Sequence, residues 1–174
     1  MGSSSKSSNL IVIGGNNILW ATCDDKMQVW IDGKLQNVAG TPEAWGTLVK
    51  MRSPVDAKLA AFRCQSQKPP YRGLLVSMSN GFVSQGDEAW LCTETSEIGW
   101  NKPDTEINEN LWKTPNSYYR GCNPVTNLES EHCESPWDHV DEIEDTANWV
   151  WLESFETSKE GPNTIYCRWN LTLL

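Results

Sequence analysis

Apolar and polar side chains alternate through Ile18 to Leu35, ILWATCDDKMQVWIDGKL, with the two-residue period of a strand that is wet on one side. Met27, Val29 and Ile31 fall on one face, and Lys26, Gln28 and Trp30 on the other. Asp32-Gly33 follows, a pair favoured in two-residue type I′ turns, where both central residues take positive φ. The segment therefore predicts a strand, a tight hairpin and a half-buried antiparallel sheet.

The same signals recur at short intervals. Leu10 to Ile13 reads as a short strand, and Gly14-Gly15-Asn16-Asn17 as a turn leading into a strand over Ile18 to Cys23. Trp45 to Met51 alternates again after a loop opened by Thr41-Pro42-Glu43, and Ala57 to Cys64 is a candidate central strand. Pro69-Pro70 places Gln65 to Arg72 in a loop. Gly73 to Ser79 and Trp90 to Thr93 are further strands, with Asn80-Gly81 as a second hairpin signal.

Gly99 to Pro115 is sparse in apolar positions and rich in turn formers, which predicts a long loop, and Asn116 to Thr146 is acidic and irregular. Trp149 to Leu152 and Thr164 to Leu173 close the chain as two strands separated by a Gly161-Pro162-Asn163 turn. No sustained 3.6-residue apolar period appears between residues 10 and 115. The prediction is an all-β fold, an antiparallel β-sandwich or jelly roll with long, disulfide-pinned loops. Met1 to Asn9, MGSSSKSSN, reads as a flexible leader or tag remnant, and residues 10–174 as a single domain.

Charge narrows the partners. Fourteen Lys and Arg against 23 Asp and Glu leave a net charge of −9, which repels nucleic-acid phosphates and anionic membranes. No apolar run has the length of a membrane span, and no charged-then-apolar leader opens the chain. The six cysteines lack the CxxC spacing of a structural zinc site, so disulfides and a secreted, extracellular protein are expected. Cys122 and Cys133 bracket a loop holding Asn123, Pro124 and Asn127 and are expected to pair. Spacing leaves the pairing of Cys23, Cys64, Cys92 and Cys167 open, and buried free thiols in a cytosolic protein are the alternative. Asn170-Leu171-Thr172 is a glycosylation sequon, which also favours secretion.

Four blocks resemble the galactose-binding-like β-sandwich modules, as found beside bacterial glycosidases of the rhamnosidase type and in secreted invertebrate proteins. They are CDDKMQVWIDGK with Trp45 following, LAAFRC to GLLVSM, EAWLCT with GWNKPDTEINENLWKTP, and ANWVWLE to NTIYCRWNLTL. The six cysteines and the acidic Cys122 to Asp145 region stand outside that family's pattern. The resemblance implies a jelly roll and a sugar-binding role, and family members also serve as structural spacers.

Ten tryptophans fit a carbohydrate reading, because a flat indole stacks on the apolar face of a pyranose while its N–H remains a donor. Trp20, Trp90, Trp149, Trp151 and Trp169 sit in strand-like alternation and are assigned to packing. Trp45, Trp100, Trp112 and Trp137 lie in predicted loops, where an indole is either a ligand platform or a pin for the loop. Asp24-Asp25 offers carboxylates to vicinal hydroxyls, with an Asx turn as the alternative, and Arg72 offers paired donors. The candidate ligand set is Asp24, Asp25, Trp45, Arg72, Trp100 and Trp137.

Residues 132–145, HCESPWDHVDEIED, gather both histidines with many carboxylates, and Asp138, His139, Asp141 and Glu142 are the candidate metal ligands. Calcium is the ion such oxygen density suits, zinc would use the histidines, and a solvated acidic face is the alternative. Nothing in the pattern requires a cofactor. No GxSxG elbow, phosphate loop or dinucleotide fingerprint appears, and no carboxylate pair is marked out for glycoside hydrolysis. The expectation is a secreted, non-catalytic module with a glycan partner. The alternative is a structural or extracellular-matrix module whose acidic loop binds calcium or mineral, and a glycoside hydrolase is the third.

Overall fold

A computed structural model describes residues 15–36, 48–66, 72–118, 142–152 and 163–173. Ten strands and no helix lie among them: β1 (Asn16–Cys23), β2 (Lys26–Ile31), β3 (Lys34–Leu35), β4 (Val49–Pro54), β5 (Leu59–Gln65), β6 (Leu74–Met78), β7 (Trp90–Thr93), β8 (Asn116–Tyr118), β9 (Trp149–Trp151) and β10 (Thr164–Asn170). They form two five-stranded sheets, ordered β4-β1-β6-β9-β8 and β3-β2-β5-β10-β7, with every pairing antiparallel. Apart from the β2–β3 hairpin and the β8–β9 pair, successive strands lie in opposite sheets. This all-β sandwich is the expected fold class.

The hairpin forms as its sequence dictates. Asp32 and Gly33 take φ of 47° and 79°, the double positive-φ signature of a type I′ turn, and Ile31 pairs with Lys34 across it. Met27, Val29 and Ile31 point into the core, where they meet Leu19 and Ala21 of β1, Leu74 and Val76 of β6, and Phe62 of β5. Trp90 and Trp169 stack at 4.7 Å in the same core, with Phe62 stacked on Trp90 at 5.7 Å. Trp149 and Trp151 are buried too, and Trp20 packs half-buried against a second, smaller cluster.

β5 and β6 do not alternate between wet and dry, because both outer faces of the sandwich are covered. Leu75 of β6 lies under Ile143, Ala147 and Trp149, while Leu59 and Ala61 of β5 lie under Trp100 and Trp112. Burial on both faces explains why these strands read as continuous apolar runs. β4, the edge strand of its sheet among the described residues, carries exposed Lys50 and Arg52 and ends in Pro54, features that discourage pairing with another chain.

Three local expectations change. Asn16 and Asn17 were expected in a turn but open β1, because they pair with Pro54 and Ser53 of β4. Asn80-Gly81 does turn the chain, with Gly81 at φ 90°, but the returning residues make only the Ser77–Val83 bridge. Asn116–Tyr118, inside the stretch expected to be irregular, forms β8 against β9. The expected strand over Leu10 to Ile13 lies outside the described residues.

Both disulfides formed by described cysteines join strands. Cys23 at the end of β1 is bonded to Cys64 of β5, tying one sheet to the other. Cys92 and Cys167 face each other on β7 and β10, with Cα atoms 4.1 Å apart. Cys92 exchanges both its backbone hydrogen bonds with Lys113 on the far side, so the cysteine pair occupies a non-hydrogen-bonded site of the ladder. Opposed residues approach most closely at such sites, which suits a bridge. The expected Cys122–Cys133 pair lies outside the described residues.

Candidate functional site

Polar side chains converge at two places, at opposite ends of β5. The first surrounds the turn between β1 and β2. Asp25 adopts φ 74°, which swings the chain from one sheet to the other beside Cys23, and the Asp24 amide donates to the Gly73 carbonyl at 3.0 Å. Ser66 Oγ donates to Asp24 Oδ2 at 3.0 Å, the Ser66 amide donates to the Asn163 carbonyl, and Arg72 Nη2 donates to Asn163 Oδ1 at 3.1 Å. Asp24, Ser66 and Arg72 are all buried, Arg72 to within 1% of completely. Burial pushes the Asp24 carboxyl up to about 7, opposed by the Ser66 hydrogen bond, reinforced by Asp25, and opposed again by the Arg72 charge.

Asp24 and Arg72, expected as ligand contacts, are thus brought together, but as a buried polar knot. Arg72, read from the sequence as a donor pair for a ligand, is almost fully buried. Its guanidinium cross-links the chain just before β6 to the chain just before β10 through Asn163. Asp25 is half-buried in the turn.

The second place is a cleft of about 270 Å³ on the outer face of the β3-β2-β5-β10-β7 sheet. It is about 20 Å from the knot, the length of the seven-residue β5, because the cleft begins at Leu59 and Ser66 follows the strand's other end. Its walls come from two elements that the hairpin and the long loop hold in place. Asp32, in the type I′ turn, accepts hydrogen bonds from the Lys58 and Leu59 amides at 3.0 and 2.9 Å and fixes the start of β5. The loop beginning at Gly99 supplies Pro103, Asp104 and Ile107 to the opposite wall.

That loop is anchored by its tryptophans. Trp100 is only 8% exposed and packs edge-on against Trp30 and Tyr166, with Trp112 stacked beside it. Trp112 Nε1 donates to Glu97 Oε2 at 2.9 Å. Arg168, on β10, donates from Nη1 to the Trp100 carbonyl at 2.6 Å and lies 6.0 Å from the Trp112 ring centroid. Partial burial lowers the Arg168 pKa, yet a guanidinium stays charged in proteins. Trp100 was expected to offer an open stacking face. Its indole is covered because the loop needs an apolar anchor on the sheet, so it shapes the cleft wall from behind.

Around the cleft, Lys58 and Arg168 are cationic, Glu88 and Asp104 anionic, and Asn170 and Thr172 polar, while Leu59, Leu91 and Ile107 supply apolar surface. None of these was among the expected ligand residues. The signals that mark them are the sequon at Asn170 and the long loop after Gly99. Trp45, Trp137, Asp138, His139 and Asp141 lie outside the described residues, and Glu142 is exposed. Among the described residues, no three His, Cys, Asp or Glu side chains come together to hold a metal ion. No helix among them is long and apolar enough to cross a membrane. No protein-family model, curated protein or solved structure matches the chain.

Proposed function

We propose that this chain is a secreted, non-catalytic module that binds a small saccharide in the cleft beside Arg168. The observation that carries this reading is the composition of the cleft, which sets donors and acceptors of both charge signs around an apolar floor. A sugar ring presents the matching surface, hydroxyls that donate and accept around an apolar C–H face. The volume of about 270 Å³ is near the lower end of small-molecule sites, roughly 300–1,000 Å³, which suits a mono- or disaccharide. Glu88 and Asp104 are both exposed. The two carboxyl groups are read as acceptors for hydroxyls. Two disulfides between strands fit an oxidising, extracellular compartment.

The test is a glycan array probed with the full chain, followed by calorimetry with any saccharide retained. Binding that weakens at least tenfold in Glu88→Ala and in Lys58→Ala, with the melting temperature unchanged, supports the cleft. Silence on the array overturns the reading, and hydrolysis of a chromogenic glycoside that is lost in Asp104→Asn replaces binding by catalysis.

A further inference from the structure

The sequon Asn170-Leu171-Thr172 lies at the exit of β10, and its three residues are held in a defined shape. The backbone is fastened on both sides, the Asn170 amide donating to the Ala89 carbonyl at 2.8 Å and the Leu171 amide to the Lys58 carbonyl at 2.9 Å. The Asn170 side chain is oriented by its own sequon, since Oδ1 accepts from the Thr172 amide at 3.0 Å and from Thr172 Oγ1 at 2.7 Å. Both lone-pair directions of the amide oxygen are used within the motif, and nothing among the described residues accepts from Nδ2. Asn170 is half-buried, Thr172 and Leu173 are exposed, and Asn170 and Thr172 both line the cleft. It is the one Asn-X-Ser/Thr motif in the sequence with X other than proline.

We infer that Asn170 is N-glycosylated, and that the attached sugar begins within the cleft, so that the modified chain and a free saccharide compete for one space. In the transfer, Asn170 Nδ2 forms a bond to C1 of an oligosaccharide carried on a lipid diphosphate. The C1–O bond to the diphosphate breaks, the diphosphate leaves with the electron pair, and Nδ2 gives up one proton. A branched, hydrated glycan needs an attachment point on the surface that does not disturb the core, and the end of β10 meets that need because the chain turns outward there. The competition, unlike the modification, rests on the saccharide reading of the cleft.

The experiment expresses the full chain behind a secretion signal in a eukaryotic cell and measures intact mass on secreted and retained protein together. The expected result is a heterogeneous mass increase that peptide N-glycosidase removes, leaving Asn170 as aspartate. The increase should vanish in Asn170→Gln and Thr172→Val and persist in Thr172→Ser. A chain of bare polypeptide mass, or an increase that survives in Asn170→Gln, overturns the modification. The glycosylated chain is then compared with chain made in bacterial cytoplasm and oxidised in vitro, using a saccharide retained on the array. Binding only by the unmodified chain supports competition, and equal binding by both forms overturns it while the modification stands. Silence of both forms across the array removes the saccharide reading and the competition together, again leaving the modification intact.

Discussion

The Asp32 carboxylate accepts the Leu59 amide at 2.9 Å across 27 residues of chain, joining the hairpin turn to the strand that carries the cleft. The same oxygen accepts the Lys58 amide, and the Asp32 amide returns a bond to the Leu59 carbonyl at 3.0 Å. Asp32 thus serves two demands at once, positive φ in the turn and an acceptor for two amides. Hydrogen bonds to charged groups contribute about 1.5–3 kcal/mol each, and alanine also resists positive φ. Asp32→Ala is expected to lower stability by roughly 3 kcal/mol in urea unfolding, whereas Asp32→Asn, which tolerates the same φ and keeps an acceptor, should lose less than half of that. Equal losses in the two variants would show that the negative charge, and neither the φ nor the bare acceptor, matters.

Gly73 precedes the apolar run of β6, and a Cβ placed there would come within 2.5 Å of the Trp149 ring. Trp149 is buried on the outer face of its sheet against Leu75 and Ile143, so the ring has little room to withdraw. Gly73→Ala should therefore destabilise by about 1–3 kcal/mol through overpacking. In a double-mutant cycle with Trp149→Leu the two losses should be clearly sub-additive. Additive losses would place the cost in the backbone instead.

Asp24 gives the fold a pH dependence of a definite sign. Its carboxyl is raised from 3.8 to about 7 by burial, so between those values the folded state holds a proton that the unfolded state has released. Stability is highest below about 4, falls as pH rises towards 7, and is then constant for this group. Acting alone, a shift of this size corresponds to roughly 4 kcal/mol over the window. Urea midpoints measured from pH 4 to 8 for the natural chain and Asp24→Asn should diverge as pH rises, the variant becoming the more stable of the two. Parallel curves would refute the assignment.

The two strand-to-strand disulfides close loops with sequence separations of 41 and 75 residues. On the chain-entropy account each contributes about 4 kcal/mol by restricting the unfolded chain. Replacing Cys92 and Cys167 together by alanine should cost about as much as replacing Cys23 and Cys64, although the first pair links neighbouring strands and the second links the sheets. Equilibrium unfolding of the two double variants checks this. A much larger loss for Cys23 and Cys64 would mean that the inter-sheet bridge also positions the Asp24 turn.

The strands were legible where one physical rule acted alone. Met27, Val29 and Ile31 alternate because only one face of β2 meets the core, and Asp32-Gly33 demands its turn whatever surrounds it. Prediction failed where a distant partner decided. Asn16 and Asn17 favour turns locally, but the ladder with β4 satisfies their backbone and makes them strand. The site was less legible than the fold. Trp100 and Arg72 carry the residue types of a ligand site, yet exposure depends on whether a loop folds back, and spacing does not encode that. The cleft residues Lys58, Glu88 and Asp104 are ordinary surface charges in sequence and acquire meaning only because β5 and β7 begin side by side with the long loop against them.

Trp100 is where fold and cleft can be separated by experiment. Its indole lies among Trp30, Trp112 and Tyr166 on the outside of the sheet, apart from the core that holds Trp90 and Trp169. Removing a buried tryptophan from a core costs about 3–5 kcal/mol, but here the loss falls on the attachment of one loop. Trp100→Ala should keep the near-ultraviolet dichroism of the stacked Trp90–Trp169 pair and both disulfides. Limited proteolysis should cut within residues 97–113 faster than in the natural chain. On the proposed saccharide reading, binding should disappear with the wall formed by Pro103, Asp104 and Ile107. Unchanged binding in a variant whose loop is cleaved would place the ligand site elsewhere on the sandwich, since a cleft without that wall retains only its floor.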